Sequence, residues 1–141
     1  MAFVIGSAAR VSIAIAAEDW ERDWTVVTMA TNGSWGVGID YPIGGAIATA
    51  IRECRAMSSG GNDCGAAFAA SRGGWIIGLL CGDHRILATG GDLKDAEATA
   101  LNRELDLKRL YVPDLPACHR VLTVDSRGVV TTASPRLSGR P

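Results

Sequence analysis

Residues 35–54 read WGVGIDYPIGGAIATAIREC, and this stretch decides the fold. Trp35, Val37 and Ile39 alternate with Gly36 and Gly38 at the period of two that a strand requires. One face of that strand carries side chains. The other is bare, which lets a helix or a second backbone approach closely. Asp40-Tyr41-Pro42 then opens a helix: Asp40 or Tyr41 stands near the cap, and proline is tolerated in a first turn. Ile43, Ile47, Ala50, Ile51 and Cys54 fall at i, i+4, i+7, i+8 and i+11, a single apolar stripe. Gly44 and Gly45 weaken the first turn of this helix, which ends by Met57.

Upstream, Trp24 to Ala30 is rich in β-branched residues and reads as a strand. Thr31-Asn32-Gly33-Ser34 joins it to Trp35, with Asn-Gly as the hairpin signal. Downstream, Cys64 to Ser71 is a small-residue strand and Trp75 to Leu80 a fully apolar one, placed centrally in a sheet. Arg85 to Thr89 is a further short strand. Asp92 caps a helix over Leu93 to Leu110, with Asp95 and Glu97 in its first turns and Lys108 and Arg109 in its last, as the helix dipole favours. Ala96 and Ala100 form a smooth strip suited to lying flat on a sheet. His119 to Val124 is a last strand, and Val129 to Thr132 is its partner.

The expected architecture is therefore α+β: a mainly antiparallel sheet with two helices packed on it, built from pseudo-repeated β-β-α units and followed by a final strand. Trp35 to Cys64 and Ile77 to Cys118 overlay in pattern, though not in identity. The organisation reads as an apolar N-terminal segment (1–19), one α+β domain (20–132) and a loose tail (133–141). The chain has 141 residues, 48% hydrophobic and 21% charged, which suits one folded domain and excludes disorder for most of its length. The 14 Lys+Arg are balanced by 15 Asp+Glu, so bulk charge excludes a nucleic-acid partner.

Residues Ala2 to Ala17 are apolar or small apart from Arg10. They are too short for a comfortable membrane span, and Ala14-Ile15-Ala16 has the small-x-small spacing of a signal cleavage site. A signal-like segment, a strand with Val11, Ile13 and Ile15 on one face, and a membrane or partner anchor are the three readings. Membrane contact is expected only through residues 2–17. Trp20 and Trp24 flank the polar residues Glu21 to Asp23 and are candidate anchors for a protein partner, with the chain as a subunit of a larger assembly or a homo-oligomer.

The four cysteines are Cys54, Cys64, Cys81 and Cys118. Adjacency in the strand–helix–strand order favours Cys54–Cys64, tying a helix end to a strand start, and Cys81–Cys118, fixing the second helix against the sheet. Three connectivities exist and spacing alone does not choose. Paired cysteines imply a periplasmic or extracellular location, and free thiols a cytoplasmic one. A zinc site from Cys81, His84, Cys118 and His119 has suitable ligand types. It lacks a Cys-x-x-Cys, and Cys118 and His119 fall on opposite faces of a strand, so neither metal nor cofactor is expected. Gly90-Gly91-Asp92 matches the tripeptide of cyclic-dinucleotide synthases, but no Glu-Phe follows, and it reads as a turn plus N-cap. Ser58-Ser59-Gly60-Gly61 lacks the Lys-Ser/Thr and the helix start of a phosphate loop.

Trp35-Gly-Val-Gly, the Ala-x-x-x-Ala helix ending in Cys54, Asp63-Cys64, Cys81-Gly82-Asp83, Asp95-Ala96-Glu97-x-x-Ala100 and Pro116-Ala-Cys118 form a set. Over Trp24 to Gly128 the chain resembles a family of small exported bacterial domains catalogued as a domain of unknown function. The resemblance implies export and paired cysteines, and it transfers no catalytic residues. The leading expectation is a non-catalytic exported domain that binds a protein or macromolecule. The alternative is a small enzyme with a site at Asp83, His84 and His119.

Overall fold

The computed structural model describes residues 22–57 and 63–132. The N-terminal segment, Trp20 and the C-terminal tail lie outside the described residues. The elements are β1 (Trp24–Met29), β2 (Trp35–Asp40), α1 (Ile43–Met57), β3 (Phe68–Ser71), β4 (Trp75–Cys81), β5 (His84–Gly90), α2 (Leu93–Leu110), β6 (Cys118–Val124) and β7 (Val130–Thr132). The fold is α+β, as expected. The strands divide between two antiparallel sheets, with orders β2-β1-β3 and β5-β4-β6-β7.

These orders expose the repeat. In each unit the first strand is central, the second returns beside it as a hairpin, and a helix follows. The third strand then pairs with the first on its other side. Trp24 and Trp75 open the equivalent central strands. The overlay of Trp35 on Ile77 is thus corrected: Trp35 belongs to a second strand and Ile77 to a first. Val26 and Trp24 pack under α1 with Ala46 and Ala50, just as Ile77 and Trp75 pack under α2 with Ala96 and Ala100.

Alternation along the strands then builds four layers. The other face of β1, with Val27 and Met29, meets Ile76, Leu87, Leu122 and Val124 from the second sheet in one fully shared core. Trp35, Val37 and Val130 close its margins. The order is helix, sheet, sheet, helix, with the large aliphatic side chains between the sheets and alanines beneath the helices. Each leucine- or isoleucine-sized side chain so buried contributes roughly 1.5–3 kcal/mol.

The apolar stripe on α1 is not the one the isoleucines mark. The buried residues are Ala46, Ala50 and Cys54, while Ile43 is exposed and Ile47 and Ile51 are half-buried. The reason is the bare face of β2. A Cβ on Gly36 would stand 1.9 Å from the Ala50 carbonyl oxygen, and one on Gly38 would stand 1.9 Å from that of Ala46. The helix backbone rests directly on the strand, and only alanine-sized residues fit beside that contact. In the second unit a Cβ on Gly90 would lie 2.2 Å from the Ala96 backbone nitrogen.

Helix α2 keeps its expected bounds. The Asp92 carboxylate accepts from the Asp95 N–H at 2.7 Å, and Lys108 and Arg109 sit in the last turn. Arg103 Nη1 donates to the Leu87 carbonyl, covering part of β5, which lies at the edge of its sheet among the described strands. The strand expected from Cys64 is shorter: β3 begins at Phe68, because residues 63–66 turn, with the Ala66 N–H donating to the Asp63 carbonyl.

Two substitutions separate close approach from helix propensity. Gly38→Ala is expected to lose about 3 kcal/mol or more, since a helix backbone must move. Gly44→Ala meets nothing within 4 Å and is expected to gain about 0.5–1 kcal/mol. Urea midpoints on the oxidised protein report both, and equal midpoints would refute the contact.

Candidate recognition cleft

One end of the space between the sheets opens into a cleft of about 350 Å³. Thr25 and Ile39, on the inward faces of β1 and β2, line it from the core side. Arg22 and Asp23 form one wall, and Ser126 and Arg127 of the β6–β7 turn form the other. Two glycines with positive φ seat these walls. Arg22 Nη1 lies 2.6 Å from where a Gly73 Cβ would stand, and Ile39 Cδ1 lies 2.4 Å from where a Gly128 Cβ would stand.

The β6–β7 turn is fixed from within. The Asp125 carboxylate accepts from the Arg127 N–H at 2.8 Å and the Val129 N–H at 2.9 Å, while Gly128 N–H donates to the Asp125 carbonyl. The charge of Asp125 is absorbed by its own turn, and the Ser126 and Arg127 side chains are left to the cleft. Nothing in the sequence pattern singled out these residues: Arg22 sits in a mixed polar run, and Asp-Ser-Arg-Gly reads as an ordinary turn. Only the sheet-on-sheet packing brings them together.

Beside the cleft, the Arg72 guanidinium lies over the Trp24 ring at 4.8 Å and the Tyr41 ring at 5.8 Å from their centroids. The arrangement attaches the β3–β4 turn to the start of α1. Trp24 is therefore occupied by the fold, half-buried among Val26, Ala46 and Ala50, and does not stand out as a free anchor.

All four cysteines are paired, as Cys54–Cys64 and Cys81–Cys118. The first joins the end of α1 to the loop before β3. The second does not clamp a helix: Cys81 and Cys118 are register partners, so it links β4 to β6 across the sheet and encloses β5 and α2 in its loop.

The histidines separate at this edge. Cys81 pairs with His84 in one ladder and Cys118 in the other, whereas His119 pairs with Leu80. Cross-strand partners share a face and neighbours along a strand oppose each other, so His84 and His119 lie on opposite faces of the sheet. Asp83 Oδ1 is 3.5 Å from His84 Nε2 within an exposed turn. The three residues of the enzymatic alternative do not converge on one surface. Among the described residues no cluster of histidine, cysteine and carboxylate could hold a metal ion.

Asp63 couples the first disulfide loop to the second unit. Its carboxylate accepts from Thr31 Oγ1 at 2.7 Å and the Thr31 N–H at 3.1 Å, and pairs with Arg85 of β5 at 2.7 Å. The two Thr31 hydrogen bonds hold this carboxyl down at about 2 against the opposing effect of desolvation, and Arg85 adds smaller lowering effects through its hydrogen bond and its charge. Thr28 Oγ1 secures the same loop, donating to the Ala67 carbonyl and accepting from the Gly65 N–H.

No family model, no curated protein and no solved structure matches the chain.

Because the Asp63 pKa is lowered on folding, its contribution is present above the unfolded value near 4. That contribution disappears as pH falls through about 2. Asp63→Asn is expected to flatten the loss of stability between pH 4 and pH 2, and identical acid limbs in denaturant titrations would contradict the clamp. Removing the staples has a size order. Cys54 and Cys64 are 10 apart in sequence, and Cys81 and Cys118 are 37 apart. Loop-closure entropy then gives losses of about 3 kcal/mol for Cys54→Ala/Cys64→Ala and about 4 kcal/mol for Cys81→Ala/Cys118→Ala. Thermal unfolding of the two double variants checks that order.

Proposed function

We propose that the chain is a small non-catalytic domain, exported to a periplasmic or extracellular compartment, that acts by binding another protein or macromolecule, including as an accessory subunit. The observation that carries the reading is the pairing of all four cysteines in two disulfides. Disulfides persist in oxidising compartments, and small exported domains use them to supplement a limited core. The resemblance to exported bacterial domains points the same way. The cleft between the sheets offers a recognition surface with charged and hydroxyl-bearing walls. The exposed apolar residues Leu101 and Leu105, one turn apart on α2, offer a second surface for a macromolecular contact. The enzymatic alternative loses support because His84 and His119 stand on opposite faces of the second sheet.

Protein isolated from its native source is expected outside the cytoplasm. Denatured there, it should show no reactive thiol before reduction and four after it, and sedimentation should place it in a complex heavier than one copy of the chain. Four reactive thiols in cytosolic material would overturn the compartment reading, and a lone monomer would overturn the subunit reading.

A further inference from the structure

We propose that the cleft between the sheets captures a carboxylate of a partner peptide, with Arg127 as the charged contact and the Thr25 and Ser126 hydroxyls as further donors. This rests on the reading of the chain as a binding domain and names the chemistry of its partner.

The cleft is preorganised for an anion on one side. The Asp125 carboxylate is consumed by the backbone N–H groups of its turn, and the Arg127 guanidinium makes no ion pair among the described residues. A guanidinium presents paired N–H donors that match the two oxygens of a carboxylate. Thr25 is a buried residue, yet its hydroxyl makes no hydrogen bond among the described residues and is not enclosed. It opens into the cleft, where a ligand oxygen is the natural partner. Ile39 adds an apolar surface beside it.

Asp23 narrows the ligand class. A carboxylate in the wall facing Arg127 repels a doubly charged anion and accepts from an N–H donor. A singly charged carboxylate next to an amide N–H satisfies both walls, and a peptide supplies that pair. The volume of about 350 Å³ holds a residue or two of such a chain, at the small end of ligand sites. Among the described strands β2 lies at the edge of its sheet and runs to Ile39, which gives an extended peptide a route to the cleft.

The carboxylate has two sources, a chain end or an acidic side chain, and the test separates them. The full chain with both disulfides intact is titrated with acetyl-Ala-Ala as the free acid and as its amide, with acetyl-Ala-Asp-amide, and with inorganic phosphate. Saturable binding of the free acid, at least tenfold tighter than its amide, assigns a chain end. Binding of acetyl-Ala-Asp-amide instead assigns a side chain. Arg127→Gln is expected to weaken the bound peptide tenfold or more, Thr25→Val severalfold, and Lys94→Gln on the remote helix α2 not at all. Circular dichroism and melting temperature verify that each variant folds. Affinity for both carboxylate-bearing peptides no higher than for acetyl-Ala-Ala-amide, tighter binding of phosphate, indifference to Arg127→Gln, or no saturable binding would each overturn the proposal. None of these results alters the thiol count or location of the native protein, so failure here is distinct from failure of the exported-domain reading.

Discussion

Backbone-on-backbone contact between α1 and β2 sets the rest of the structure. With Gly36 and Gly38 bare, the carbonyls of Ala50 and Ala46 occupy the space where side chains would stand. The helix axis is drawn close to the sheet, and the residues on its buried face must be alanine or cysteine. The second unit reaches a similar state with Ala88 and Gly90 under Ala96 and Ala100. Because the outer layers are thin, the largest cluster of big aliphatic side chains lies between the sheets. Met29, Ile76, Leu87, Leu122 and the valines gather there, and the two units become halves of one core.

The two units are stapled differently, and their strands explain why. The third strand of the first unit has 4 residues and follows a turn-rich loop. Cys54–Cys64, Thr28 and the Asp63 clamp hold that loop to α1, β1 and β5. The third strand of the second unit has 7 residues and pairs with β4 along most of its length, despite a bulge between Gly78 and Leu79 in the register. There the disulfide ties two strands already paired, closing the loop that carries β5 and α2. The cleft lined by Thr25 and Arg127 lies at the other end of these strands.

Much of this order was legible from residue types. The hairpin at Asn32-Gly33, the proline-led start of α1, the Asp92 cap and the run from Trp75 each carry a local physical signal that the fold obeys. The buried face of α1 is not legible from its isoleucines, because a larger apolar side chain normally marks the core, and here the core side is defined by a backbone contact that admits only alanine and cysteine. The second disulfide was paired correctly but given the wrong task, since its role depends on β6 lying beside β4. The cleft was invisible, because its residues are scattered from Arg22 to Arg127 and each is unremarkable in its own segment.

The sequence by itself determined the elements, their order, the close approach at the glycine-bearing strand and the even set of cysteines available for pairing. Those depend on periodicity, caps and turns, which act over a few residues. Only the tertiary structure decided that the strands form two sheets, which sheet face each helix covers, that His84 and His119 part company, and that an arginine-walled cleft opens between the layers. Each of those depends on which strand lies next to which and which face turns inward. That choice is made by the whole set of side chains competing for one interior, and no single segment encodes it.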